Sequence, residues 1–170
     1  MNSVNKRFDR LEAGIIAWLA CYSVATLRIS LGIVFFWFGV LKFFPGASPA
    51  QDLAVRTIDL LTFGLISPSI SLVLLASWEC LIGLGLISGR FVGVALMLQL
   101  LQMLGTITPL FFFPAETFLR VPFAPNMEGQ YIIKNIVLIS AALVIAATLR
   151  GTDGLPAPAQ ARGTHVSNGD

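Results

Sequence analysis

One carboxylate, Glu79, stands in the middle of the apolar run SLVLLASWECLIGLGLIS. Two amides, Gln99 and Gln102, occupy the middle of a second such run, and two lysines, Lys42 and Lys134, lie near the ends of two more. A charged side chain in the core of a bilayer costs at least about 2.5–3.5 kcal/mol, so groups at such positions face one another or a ligand and not lipid. A carboxyl group there can take up or release a proton, and an ammonium can donate to a carbonyl of a small apolar molecule. The plainer alternatives are an ion pair between Glu79 and a lysine, lysines that snorkel to headgroups, and glutamines that join helices.

These residues need elements to hold them. Of the 170 residues 56% are hydrophobic and 12% charged, whereas soluble domains carry roughly a quarter charged residues. The apolar residues fall in runs of the length that crosses a bilayer, about 20 residues per helix. The fold expected is an all-α integral membrane protein, a four-transmembrane-helix bundle with spans at about 24–44, 70–88, 91–113 and 131–149. An interfacial helix is expected before the first span, within an N-terminal segment 1–23, and a second between spans 1 and 2. In that second helix, QDLAVRTIDLLTFGL, the residues Leu53, Ile58, Leu61 and Leu65 share a face. The third span is expected to kink near Pro109. Residues 151–170, rich in Gly, Pro and polar residues, are expected to be a disordered tail.

Within the first span, Arg28, Gly32, Phe35, Gly39 and Lys42 are spaced by four, three, four and three, which is one helical stripe. Its glycines allow a neighbouring helix or ligand to come close. Arg28 is expected near one membrane face and Lys42 near the other. Lys134 and Asn135 open the fourth span. The polar groups are expected to form a seam inside the bundle, with Glu79 near the midplane as proton-exchanging group. Lys42, Lys134, Asn135, Gln99, Gln102, Gly39 and Arg28 are expected to line a ligand site around it.

Four spans return the chain to its starting side. That side holds Lys6, Arg7, Arg10, Arg28, Arg90, Arg150 and Arg162, and the other holds Lys42, Arg56, Arg120 and Lys134. The bias puts both termini in the cytoplasm. Residues 1–21, with WLAC at 18–21, are read as retained. The single histidine, His165, lies in the polar tail, which argues against haem or a His-based metal site. Cys21 and Cys80 belong to no CxxC pair, and their separation in depth argues against a disulfide between them. The net charge of +2 and the lack of a basic patch beside stacking aromatics argue against nucleic acid.

The stretch LRISLGIVFFWFGVLKFFPG resembles the first helix of DoxX/DoxD-like membrane proteins, with its Arg, spaced glycines and closing Gly-x-x-Lys. WECLIGLGLISGRFVG, TITPLFFFPAETF and EGQYIIKNIVLISAALVI resemble later stretches of the YkgB branch, the reactive-chlorine-resistance (RclC-like) proteins. Pro114 departs from the Thr-Pro common in that branch. The resemblance covers about residues 24–149. It implies a four-helix protein of the bacterial inner membrane engaged in redox or oxidative-stress work. It also carries roles to Lys42, Glu79, Lys134 and Asn135. DoxD is part of a thiosulfate:quinone oxidoreductase.

Two classes of function follow. In the first, the protein binds a quinone or similar small redox molecule between its helices, at most as the membrane subunit of a quinone-linked oxidoreductase, with no covalently bound cofactor. In the second it is a non-catalytic accessory or scaffold subunit. A small transporter or channel ranks third. The expected partners are the lipid bilayer, a membrane or periplasmic redox protein and further copies of the chain.

Overall fold

The structure, a computed structural model, describes residues 3–44, 46–48 and 51–150, with side chains from 11 to 149. The expected tail at 151–170, with His165, lies outside the described residues. The elements are α1 (Ser3–Leu41), α2 (Gln51–Leu61), α3 (Pro68–Ser88), α4 (Val92–Ile107), α5 (Pro109–Phe112), α6 (Pro114–Thr117), β1 (Phe118–Arg120), β2 (Ala124–Pro125) and α7 (Met127–Arg150). Four helical segments are long and apolar enough to cross a membrane: Leu11–Leu41, Pro68–Ser88, Val92–Phe112 and Met127–Leu149.

The four long helices form a ring. α1 packs on α3 and α7, and α4 packs on the same two helices. The core between them is built from Leu31, Phe35, Ile82, Leu86, Leu96 and Ile145 with smaller residues. Lipid-length helices with all-round apolar surfaces leave Trp37, Leu81, Leu104 and Val137 exposed outside, as a bilayer solvent permits.

The expected separate interfacial helix before the first span is not separate. Residues 3–41 form one uninterrupted helix, about 58 Å long at 1.5 Å per residue. Residues 11–22 contain no Pro and only Gly14 as a weak breaker, so nothing in the chain ends the helix there. Residues 11–23 are exposed on every face.

α1 and α3 touch through glycine. A Cβ at Gly83 would lie 2.5 Å from the backbone nitrogen of Phe36 and 2.7 Å from its Cα. One at Gly32 would lie 2.9 Å from the carbonyl oxygen of Gly83, and one at Gly39 2.9 Å from the backbone nitrogen of Cys80. Small residues let helix backbones meet in a membrane, where packing and not water exclusion drives association. The pairs define an antiparallel register, and continuing it puts Lys42 opposite Ser77. That is nine residues in from Pro68, about 14 Å. α1 stops at Leu41, Lys42 and Phe43 follow in turns, and α2 packs on α3 instead.

α2 is shorter than its sequence pattern. It buries Leu53 and Thr57, whereas Leu61 and Leu65 stay exposed, because the helix ends at Leu61 and turns through Gly64 at φ 75°. The third span breaks between α4 and α5 at Pro109, as its sequence predicts. Residues 114–129, between the third and fourth spans, hold α6 and a two-stranded antiparallel hairpin pairing Phe118 with Pro125. Asn126 then caps α7, its Oδ1 accepting the Gly129 N–H at 3.0 Å.

The glycine contact gives a direct test. Gly83→Ala is expected to lower stability by about 1–3 kcal/mol through overpacking, read as a lower melting temperature in detergent. Gly93→Ala, whose added Cβ meets no atom within 4 Å, is expected to leave it unchanged or raise it slightly.

Candidate functional site

Glu79 lies at the middle of α3, 7% exposed. Its position on the helix puts it on the α1-facing and α4-facing side, one turn from Gly83. Lys42 Nζ donates to Glu79 Oε2 at 2.6 Å, and Gln102 Nε2 donates to Glu79 Oε1 at 2.7 Å. Both carboxylate oxygens are thus engaged, one by a charge and one by an amide. The lysine and glutamate side chains are 12% and 9% exposed. Gly39 makes the pair reachable. Its missing side chain would fall 2.9 Å from Glu79 Cβ and 2.9 Å from Cys80 Sγ, so any larger residue would push α1 and its lysine away.

Gln99, fully buried, turns to α7 and donates through Nε2 to the Leu138 carbonyl at 3.0 Å. Trp78 Nε1 donates to the Leu98 carbonyl at 3.3 Å and ties α3 to α4. The network therefore links all four long helices, as a polar seam inside a bundle should.

The other candidates fall elsewhere. Arg28 is at the opposite end of the α1 stripe, where its guanidinium donates to the carbonyls of Leu86 and Ile87. It closes the C-terminus of α3, which ends at Gly89 in the left-handed conformation at φ 71°. A cation at that end complements the helix dipole. Lys134 is exposed, with Nζ 5.5 Å from the centre of the Tyr131 ring, and is not brought to Glu79. The packed side of α7 runs through Leu138, Ala142 and Ile145, and Lys134 lies at its edge. Asn135 is half-buried near that side. Cys21 and Cys80 are both free, and Cys80 lies beside the pair, its Sγ 4.0 Å from the Phe36 carbonyl. Among the described residues no group of three or more His, Cys, Asp or Glu could hold a metal ion.

One feature escapes the sequence reading. A cleft of about 610 Å³ opens between the start of α2 and the 114–129 segment, lined in part by Ser48, Asp52, Glu116, Asn126 and Glu128. Its three acids have a common origin: each sits in the first turn of a helix, α2, α6 and α7, where a negative charge complements the N-terminal dipole. That first-turn placement was the available signal, but only the fold gathers the three turns. Arg56 of α2 pairs with Glu116 of α6, and its guanidinium carbon lies 4.8 Å from the Phe113 ring centre.

The sequence profile of the DoxX family matches residues 23–114, more than half of the chain. The chain belongs to the DoxX family. The match contains Arg28, Gly39, Lys42, Glu79, Gln99 and Gln102, and ends before Lys134 and Asn135. No curated protein and no solved structure shows a significant match. Family and four apolar helices together make this a multi-pass membrane protein of the DoxX superfamily.

Removing one partner of a buried ion pair leaves the other charge uncompensated. Lys42→Met is expected to lose about 3–5 kcal/mol, and the double variant Lys42→Met, Glu79→Leu to recover most of it. Arg56→Ala breaks a pair whose side chains are 50% and 43% exposed, and is expected to lose about 0–1 kcal/mol. Thermal unfolding of the three variants in lipid nanodiscs checks the order.

Proposed function

We propose that this DoxX-family protein belongs to the YkgB branch and acts in the bacterial inner membrane, with both termini cytoplasmic. Its role is resistance to oxidants such as reactive chlorine species, and its seam receives a small redox molecule of the quinone type. The observation that carries this reading is the Lys42–Glu79 pair, 2.6 Å apart in apolar surroundings. A quinone needs an apolar slot, a donor to a carbonyl and a route for protons. Lys42 is the donor, Glu79 the proton-exchanging group and Gln102 the amide that orients it. Lys134 and Asn135 then serve at the outer end of α7, apart from the pair. The cleft at Gly46 and Ser48 begins four residues beyond Lys42 and supports entry from that end. Electrons pass to or from a membrane or periplasmic partner, since the chain itself has no iron–sulfur or flavin motif.

A second reading has its own support. Lys42 and Gln102 engage both oxygens of Glu79, and the space at Gly32 and Gly39 of α1 and at Gly83 and Gly85 of α3 is already filled from within the chain. An accessory or scaffold subunit would need no more than this.

Glu79→Gln separates the two. It keeps the shape and removes proton exchange. The redox reading expects oxidant-sensitive cells at normal protein abundance, scored by survival under hypochlorous acid beside membrane immunoblots. Unchanged survival at normal abundance would sink the proton-exchange role. Native mass spectrometry of the solubilised protein adds the ligand itself: a quinone near one per chain, lost in Lys42→Met, is the expected result. A bundle arriving without it but with a stoichiometric protein partner would favour the scaffold.

A further inference from the structure

Two acceptors in the seam have no donor in the protein. They are Oε1 of Gln99 and Oε1 of Gln102, both closed off from the surface. Turning either amide over does not help. Gln99 must present Nε2 to the Leu138 carbonyl, and Gln102 must present Nε2 to the Glu79 carboxylate. The oxygens are therefore fixed as acceptors.

Three nearby donors on α3, α4 and the end of the first span are committed elsewhere. The Thr106 hydroxyl donates to the Met103 carbonyl at 3.1 Å, the Trp78 indole to Leu98, and Lys42 to Glu79 and the Phe38 carbonyl. A buried amide oxygen left without a donor costs about 1–3 kcal/mol. Inside a bilayer no lipid chain can relieve that cost.

The two glutamines are three residues apart on α4, which puts their Cβ atoms about 5–6 Å apart on neighbouring rows of the helix. A molecule that satisfies both oxygens must carry two donor hydrogens and be small enough for a closed core. Water has two O–H groups, and interior waters occur where otherwise unsatisfied polar groups converge.

We propose that Gln99 and Gln102 hold one internal water molecule that donates to both Oε1 atoms. It completes a hydrogen-bonded chain from the Leu138 carbonyl of α7 through Gln99, water, Gln102 and Glu79 to Lys42, the residue after α1. The site is independent of whether a redox molecule binds. It explains why α4 carries two amides where one would reach Glu79.

The test is water-edited solid-state NMR on the full chain in lipid vesicles, with glutamine and methionine carbon-13 labelled. Polarisation from water is expected to reach the Cδ of Gln99 and Gln102 several-fold faster than the side chain of Met103, which is 4% exposed on the same helix. In Gln99→Leu, transfer to Gln102 is expected to fall to the Met103 level. Equal, slow transfer to all three residues in the unmodified protein would overturn the proposal. So would fast transfer to only one glutamine, or a Gln102 signal undiminished in Gln99→Leu. The first measurement needs no variant, so a Gln99→Leu chain that fails to fold still leaves the proposal open to refutation.

Discussion

The closeness of α1 to α3 is the constraint on which the rest depends. Charges in a bilayer interior must be neutralised by a partner at hydrogen-bonding distance, because no water stands in for one. A lysine at the end of one helix reaches a glutamate in the middle of the next only if the two backbones nearly touch. Gly32 and Gly39 on α1 and Gly83 on α3 provide that contact. Phe36 lies over Gly83, and Gly39 leaves space beside Glu79 and Cys80. The ion pair and the glycine face are thus one device, in which the close packing sets the distance that the pair spans.

The end of α1 has consequences at the Pro68 end of α3. Since α1 stops at Leu41, the first turns of α3 are left for α2 to cover, and α2 is amphipathic where the spans are not. The chain thereby places an Arg56–Glu116 pair, a short hairpin and an acidic cleft over one end of the bundle. The other end is closed differently, by Arg28 against the final carbonyls of α3 and by the tight turn at Gly89. The two ends of the α1 stripe carry cations for different physical reasons. Arg28 answers a helix dipole, and Lys42 answers a carboxylate.

The seam also distributes polarity unequally. Glu79 is fully engaged, whereas the amides of α4 present oxygens with no donor in the chain. A structural ion pair alone would account for Lys42 and Glu79, and the glutamines ask for something more.

Much of this was legible in the residues alone. Runs of apolar residues about 20 long can only be spans, because the backbone must satisfy its own hydrogen bonds in lipid. The stripe Arg28, Gly32, Phe35, Gly39, Lys42 follows from helical spacing, and it is the face α1 buries or half-buries. A lone glutamate in such a run demands a partner, which narrowed the choice to Lys42 or Lys134. The choice itself belonged to tertiary structure. Lys42 won because Gly39 brings α1 against Glu79, while Lys134 lies at the edge of the packed face of α7 beside Tyr131. Sequence spacing gives a residue its face on a helix, but not the register in which two helices meet. That register put Lys42 opposite Ser77, within reach of Glu79. It also gathered three distant first-turn acids into one cleft. Periodicity within an element is a local property of the backbone, whereas the meeting of elements depends on which surfaces fit without a side chain between them.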